Sequence, residues 1–463
     1  MATLTRIAST VSRPRTLPLP RVWPVRAVDV YALVVGNAAL IVAMWVRHGG
    51  LAELGSAAGL LTAVGQLTAL LGTYAVLLQL ILMSRAPWLD QLFGMDRLAW
   101  AHKWLGFATV WLLVGHAVTT TAGYGLGDGS GFIEEAWTLL TTFPYVLLAA
   151  AGLALFVAVA VSSIRAARSR ASYETWFGIH LYAYLAVALA FAHQLVIGSD
   201  FARDPIARLY WIGLYVVTFG LIVVFRVGQP ILTSARHRLR VTNVVPEASG
   251  VVSIYLTGRD LDRLAVRAGQ YFLVRLLTRD GWYRAHPFSI SEAPNGEHLR
   301  ITVKDLGDWS HRLQRVPVGT RVFVEGPYGV LTGARRTRRK VLLIGGGVGI
   351  TPMRAMVEAF PGGPGDLALI YRARSWDDVV FRAELDHLAH ARGAALHYLV
   401  GRRGSPEMPT DPLAAASIRV LVPDVAERDV FMCGPVPLME SARRSLRSLG
   451  VRDRHIHFER FSY

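Results

Sequence analysis

Six apolar runs crowd the part of this 463-residue chain that precedes residue 228, each close to the ~20 residues that a helical crossing of a bilayer needs. They lie near 28–46, 60–83, 103–121, 137–161, 175–197 and 208–227. A bilayer offers no water to satisfy the backbone, so runs of this kind commit the chain to helices. A hydrophobic content of 52% and a mean hydropathy of +0.36 agree. After the last run the pattern changes to short β-like stretches, helical stretches and Gly/Pro turns. The predicted fold class is a multi-domain membrane protein. A basic segment (1–27) precedes a six-helix transmembrane bundle (28–230), followed by an antiparallel β-barrel domain (236–334) and an α/β domain with a parallel sheet (338–463).

The basic residues predict a direction. Arg6, Arg13, Arg15, Arg21 and Arg26 precede the first run and would hold the amino terminus in the cytoplasm. This segment has no apolar stretch of its own, so it does not read as a cleavable signal. Arg85 and Arg97 flank the second connection, and Arg165, Arg168 and Arg170 fill the fourth, placing both inside. The third connection, Ala122 to Ala136, carries Asp128, Glu134 and Glu135 without Lys or Arg and is expected outside. Asp200, Arg203, Asp204 and Arg208 balance in the fifth. Six crossings put both termini in the cytoplasm and make this a multi-pass protein of the cytoplasmic membrane. The formal net charge of +16 then reflects topology, and no nucleic-acid recognition module accompanies it. The single cysteine, Cys433, excludes an intrachain disulfide and a CxxC site.

Four histidines lie along the third and fifth runs: His102 and His116, 14 residues apart, and His180 and His193, 13 apart. Such spacings separate the members of each pair by ~20 Å along a helix axis. That is too far for one metal ion but suits two haems stacked through the membrane, each taking one histidine from each helix. Both runs cross in the same direction, which pairs His102 with His180 at the inner level and His116 with His193 at the outer level. An ionisable group inside a span is costly and marks a functional candidate. A histidine that only hydrogen-bonds between helices is the plainer reading of any one of them; four at matched depths favour ligation. The 13-residue spacing falls ~140° short of four turns, so either the helix is distorted or the two haems are approached from different angles.

The soluble half reads as two domains. Strand-like runs at Leu239 to Val245, Val251 to Leu256, Tyr271 to Leu276, Leu299 to Lys304 and Arg321 to Glu325 predict a small antiparallel barrel. Within it stand His286-Pro287-Phe288-Ser289-Ile290-Ser291, Val303-Lys304-Asp305-Leu306-Gly307-Asp308-Trp309-Ser310 and Gly326-Pro327-Tyr328-Gly329. Ser289 and nearby amides can hold the polar edge of a flavin, and the Gly307 to Ser310 turn can offer N–H groups to a pyrophosphate. Alone, His-Pro-Phe-Ser would be an ordinary strand-end turn; the three segments in this order favour a flavin dinucleotide.

Val341 to Ile344 then reads as a buried parallel strand running into Gly345-Gly346-Gly347-Val348-Gly349-Ile350-Thr351-Pro352-Met353. A glycine-rich turn entering a helix turns amides toward a phosphate, although the strict dinucleotide spacing is absent and such a turn can be purely structural. Further strands at Leu367 to Tyr371, Leu396 to Val400 and Asp429 to Met432, the last ahead of Cys433-Gly434-Pro435, predict a parallel sheet with its ligand beyond the carboxyl ends. Arg372, Arg374, Arg402 and Arg403 follow two of those ends. There they can grip a 2′-phosphate and favour NADPH over NADH, unless they form only a solvated basic surface.

The segments His286 to Ser291, Gly345 to Met353 and Cys433-Gly434-Pro435 resemble the flavin, nucleotide and nicotinamide-side motifs of the ferredoxin–NADP reductase superfamily. The four histidines on the third and fifth of six spans resemble the ferric reductase transmembrane domain. Together they resemble the NADPH oxidase and ferric reductase family in a compact bacterial form. The resemblance implies FAD contacts from His286, Pro287, Phe288 and Ser289, with Gly307 and Ser310 near the pyrophosphate. It implies nucleotide contacts from Gly347 and Thr351, and Cys433 near the nicotinamide. The terminal Phe458-Glu459-Arg460-Phe461-Ser462-Tyr463 resembles the family's Glu-x-Phe ending, which makes Phe461, or else Tyr463, the aromatic cover of the flavin. Cys433 also fits an ordinary buried residue.

These parts imply a path from NADPH to FAD, then singly through two haems to an acceptor outside, dioxygen or a ferric chelate. Some family oxidases carry a basic residue one turn beyond the outer ligand of the third span; Thr120 stands there in this chain. No calcium-binding loop of EF-hand type is present in the sequence. The partners expected are the lipid bilayer and the small-molecule acceptor, without an obligate protein or nucleic acid. Two other functions fit part of the pattern: a quinone reductase within the membrane, and a proton channel or transporter with a redox-sensing soluble half.

Overall fold

The computed structural model describes residues 17–21, 23–164, 173–198, 204–405, 408 and 410–460. Phe461 and Tyr463, Arg6, Arg13 and Arg15, the arginines at 165, 168 and 170, and Asp200 and Arg203 lie outside them. The chain divides into two compact units, Pro24–Val227 and Met1–Trp23 with Gly228–Tyr463.

The first unit is helical: α1 (Ala27–Arg47), α2 (Ala57–Leu82), α3 (Pro87–Phe93), α4 (Met95–Asp128), α5 (Phe132–Thr142), α6 (Val146–Ser163), α7 (Tyr173–Ile197) and α8 (Pro205–Leu221), which passes into a π-helical turn, Ile222–Gly228. Six helices of the described residues are long and apolar enough to cross a membrane. Asp204 caps α8 by accepting from the amides of Ile206 (2.8 Å) and Ala207 (3.3 Å), with Pro205 in the first turn, where its missing N–H costs nothing.

Two expectations are corrected here. The connection expected from Ala122 to Ala136 is mostly helix, because α4 continues to Asp128 and stops at Gly129, whose φ of +71° suits glycine. The run expected at 137–161 is two helices. Phe143 precedes Pro144 and is extended (φ −85°, ψ 133°), as proline's ring demands of its predecessor.

Small residues set how closely these helices approach. A Cβ on Gly65 would stand 2.3 Å from Thr120 Oγ1, and one on Gly123 would stand 2.5 Å from Thr62 Oγ1, both between α2 and α4. Between α6 and α7, a Cβ on Gly152 would stand 2.8 Å from the Ala186 carbonyl oxygen.

The second unit opens with α9 (Gln229–His237), whose Ser234 hydroxyl bonds the backbone of Val324 at 3.0 Å. Six strands follow: β1 (Arg240–Ala248), β2 (Val251–Thr257), β3 (Tyr271–Leu276), β4 (His286–Ser289), β5 (Leu299–Lys304) and β6 (Val322–Tyr328), with α10 (Asp308–Leu313) after β5. They pair as two antiparallel sheets, β1-β2-β5 and β4-β3-β6, joined at their edges by the bridges Arg240–Arg321 and Ile290–Ile301. Alternate residues of β3 (Phe272, Val274, Leu276) point into one core with Leu239, Ile254 and Ile301, the period of two that a half-buried strand imposes.

The rest is a five-stranded parallel sheet, order β11-β10-β7-β8-β9. Its strands are β7 (Val341–Gly346), β8 (Leu367–Ala373), β9 (Ala395–Val400), β10 (Asp429–Gly434) and β11 (Ile456–Arg460). The helices between them are α11 (Ile350–Ala359), α12 (Arg382–Arg392), α13 (Ala415–Leu421) and α14 (Val436–Ser448). Along β7, Val341 and Leu343 enter one apolar cluster while Leu342 and Ile344 enter another. A strand that feeds cores on both faces must be apolar throughout, which is what the unbroken Val-Leu-Leu-Ile run supplies.

Candidate functional site

In the helical unit, α4 carries His102 and His116, and α7 carries His180 and His193. The rings meet as the sequence pairs them: His102 and His180 have centroids 5.9 Å apart with planes at 59°, and His116 and His193 have centroids 6.4 Å apart at 49°. Two imidazoles bonded to one iron at about 2 Å each put their centroids about 6 Å apart, so both pairs fit haem ligation. Helix α7 runs unbroken from Tyr173 to Ile197 through both of its histidines.

The surroundings also fit. The carbonyl oxygen of Gly65 lies 3.0 Å from His116 Nδ1, with Thr120 Oγ1 at 3.2 Å. A carbonyl cannot donate, so Nδ1 carries the proton and Nε2 keeps its lone pair for a metal. Ser163 Oγ lies 3.5 Å from His180 Nδ1 and accepts from Trp176 Nε1 at 3.2 Å. His193 Nδ1 is buried without a hydrogen-bond partner among the described residues.

In the second unit, a cavity of ≈ 250 Å³ lies where the barrel lobe meets the parallel-sheet lobe. His286, Pro287, Phe288 and Ser289 form one wall; Lys304, Gly307 and Ser310 form another. Val348 and Thr351 come from the other lobe. The His286 ring stacks on Trp309 at 5.2 Å and 21°. Lys304 pairs with Asp378 of the parallel-sheet lobe at 3.1 Å, which holds the Asp378 carboxyl below its ordinary range despite partial burial. Ser291 is not in the lining: it is fully buried behind it, accepting from Thr302 Oγ1 at 2.7 Å.

Gly345, Gly346, Gly347 and Gly349 turn β7 into α11, and Pro352 is buried in that helix. A Cβ on Gly349 would stand 2.1 Å from the Cys433 carbonyl oxygen, and one on Gly434 would stand 3.2 Å from Gly346 Cα. The glycines therefore let the turn lie against Cys433-Gly434-Pro435. Cys433 is 1% exposed, with Sγ 3.9 Å from the Glu459 carbonyl oxygen. Arg372, Arg374, Arg402 and Arg403 line a second recess of the same lobe, where Arg372 Nη1 donates to the Leu399 carbonyl oxygen at 3.0 Å.

Sequence reasoning placed Glu459 in the terminal Glu-x-Phe motif but missed its contact: its carboxylate accepts from the Val330 amide at 2.7 Å and so ties the last strand to the Gly326–Gly329 turn. It also missed Arg300, Glu384 and Arg354. Arg300 and Arg354 meet Glu384 across 84 and 30 residues, separations that no local pattern announces.

Comparison with known proteins divides the chain in the same places. Residues 68–191 match the ferric reductase like transmembrane component, residues 237–332 an FAD-binding domain, and residues 343–444 the oxidoreductase NAD-binding domain. The three matches in this order make a ferric reductase-like and NADPH oxidase-like architecture. The first match takes in His102, His116 and His180 and ends two residues before His193. A glycine betaine monooxygenase reductase subunit from Chromohalobacter salexigens is 31% identical over 242 residues, 50% of this chain and 65% of that protein. The ferredoxin reductase component of a 3-ketosteroid-9-alpha-monooxygenase from Mycolicibacterium smegmatis is 32% identical over 236 residues, 48% of this chain and 65% of that protein. The chain thus spans just under two thirds of the length of these relatives. The FAD/NAD-binding domain of a nitric oxide dioxygenase from Vibrio cholerae aligns with TM-score 0.41 and 25% identity, covering 49% of this chain and 98% of that one.

Proposed function

We propose that this chain is a transmembrane oxidoreductase that carries electrons from cytosolic NADPH, through FAD and two b-type haems, to an acceptor outside, either dioxygen or a ferric chelate. The observation that carries the reading is the pair of histidine layers, with ring centroids 5.9 and 6.4 Å apart, in a chain that also holds FAD- and NAD-binding domains.

Each residue has a part in that reading. His286 to Ser289 and the Gly307–Ser310 turn hold FAD, while Thr351 and the turn at Gly347 seat the nucleotide. Arg372, Arg374 and Arg402 take the 2′-phosphate as charged donors. Phe461 or Tyr463 covers the flavin. His102 with His180, and His116 with His193, would each hold one haem through two histidines, so an acceptor would need no place on the metal. When bound, FAD supplies the conversion of a two-electron hydride into single electrons, and the haems supply one-electron steps. The termini are assigned to the cytoplasm by the arginines of the amino-terminal segment.

The test uses sealed, oriented vesicles given NADPH on the soluble-unit side, with dioxygen or a ferric chelate on the other and superoxide dismutase as control. Reduction of an enclosed acceptor supports export. NADPH oxidation without it points to an acceptor within the membrane, such as a quinone.

A further inference from the structure

A buried charge cluster joins the two lobes of the soluble unit, and the electron path makes no use of its charges. Arg300, on β5 of the barrel lobe, has a side chain only 1% exposed. A guanidinium survives there only if its charge and its donors are met. Glu384, on α12 of the parallel-sheet lobe, meets the charge and the two Nη donors with two N–O contacts of 2.9 Å, the bidentate fork that fixes direction as well as distance; Arg300 Nε makes no hydrogen bond among the described residues and lies 3.4 Å from Glu292 Oε2. The guanidinium also lies 4.7 Å from the ring centroid of Phe381, whose φ of +63° marks a left-handed turn just before that helix.

Both ends of this pair lead to the cavity. Arg300 Nη2 donates to the Ser291 carbonyl oxygen at 3.1 Å, two residues beyond the cavity-lining Ser289. Glu384 Oε2 accepts from Arg354 Nε at 3.0 Å, and Arg354 sits on α11 three residues beyond the cavity-lining Thr351. A second tie runs the same way: the Ala293 amide donates to Glu358 Oε2 at 2.8 Å, and Glu358 is itself held by Arg354 at 2.6 Å. The cluster therefore runs from the flavin-side wall to the nucleotide-side wall.

We propose that Arg300 and Glu384 are positioning residues for hydride transfer, a buried clamp that sets the distance between the wall holding the flavin and the wall holding the nicotinamide. The proposal rests on the flavin and nucleotide reading above. Hydride transfer is steep in distance, and a misplacement of 1 Å costs on the order of a hundredfold in rate.

The test measures flavin reduction by NADPH in the purified full chain by stopped-flow absorbance. Arg300→Met alone leaves the half-buried carboxylates of Glu384 and Glu292 together with only Arg354 and His298 to offset them, so that variant is expected to be destabilised. The combined variant Arg300→Met with Glu384→Leu replaces the pair by apolar groups of similar volume, a change that often leaves stability intact. Its expected result is full FAD content, an NADPH concentration for half-maximal rate within about twofold of the native value, and flavin reduction slowed about tenfold or more at saturation. Glu384→Gln keeps the shape and one acceptor and should fall between. Reduction at the native rate in FAD-loaded combined variant overturns the clamp. So does a Glu384→Gln chain that loses FAD but reduces what remains at the native rate. Absence of flavin reduction in the native chain contradicts the underlying reading instead.

Discussion

His116 Nδ1 donates to the carbonyl oxygen of Gly65, 3.0 Å away on the neighbouring helix, while Thr120 Oγ1 stands 3.2 Å from the same nitrogen. One proton shared between two acceptors makes the opposite nitrogen a better electron donor to a metal and locks the ring toward His193. Thr120→Val should therefore leave haem content intact and raise the midpoint potential of one haem. Gly65→Ala should do more, because its Cβ would stand 2.3 Å from Thr120 Oγ1 and 3.0 Å from the Thr120 amide nitrogen. It is expected to lose that haem or a large part of it. Haem per chain and a redox titration read both, and unchanged values in both variants contradict the assignment.

His116→Leu or His193→Leu should each remove one haem of two while NADPH still reduces the other. The two layers share no ligand, so the His102–His180 layer has no direct cause to fail. A pyridine-haemochrome assay beside the NADPH-reduced spectrum decides it; two fully reduced haems in either variant would rule out the pairing.

Arg372→Ala combined with Arg374→Ala should weaken NADPH by about tenfold or more, the worth of a charge-assisted hydrogen bond. NADH should change far less. KM for each nucleotide, read with a soluble acceptor, is the measurement, and equal losses would remove the 2′-phosphate from that recess.

The clamp should also be visible in acid. Burial alone would raise the Glu292 carboxyl, yet the His298 hydrogen bond and the charges of Arg300 and Arg354 hold it down to about 2. Glu384 is lowered against its burial in the same way, by Arg300 and Arg354, with Glu292 opposing. A carboxylate depressed by folding contributes stability above its unfolded value and loses it as the pH falls toward the folded one. For Glu292 that window runs from 4.5 down to about 2. Thermal release of flavin fluorescence should therefore fall more steeply with pH across that window in the native chain than in the Arg300→Met, Glu384→Leu variant. Parallel curves would show that the pair contributes nothing there.

What could be read from the sequence followed the range of each signal. His102, His116, His180 and His193 were legible because apolar runs fix depth along a span, and depth alone pairs them. Their angular mismatch could not be resolved, since it depends on how two helices approach each other. The segments at His286 and Gly307, which line the cavity, and the strand-to-helix turn at Gly345 were legible because such turns are built from neighbouring residues. The end of α4 was misplaced because apolarity stops near 121 while the helix runs on to Asp128, with Gly123 packed closely against Thr62 and Ala58. Arg300 with Glu384 escaped altogether: a contact spanning 84 residues exists only once two lobes have folded.

The most direct test of the account is an anaerobic spectrum of the purified, FAD-loaded chain before and after NADPH. The account predicts about two b-type haems per chain, both reduced by the nucleotide. A folded, FAD-loaded chain without haem, or haem that NADPH leaves oxidised while the flavin is reduced, would contradict it.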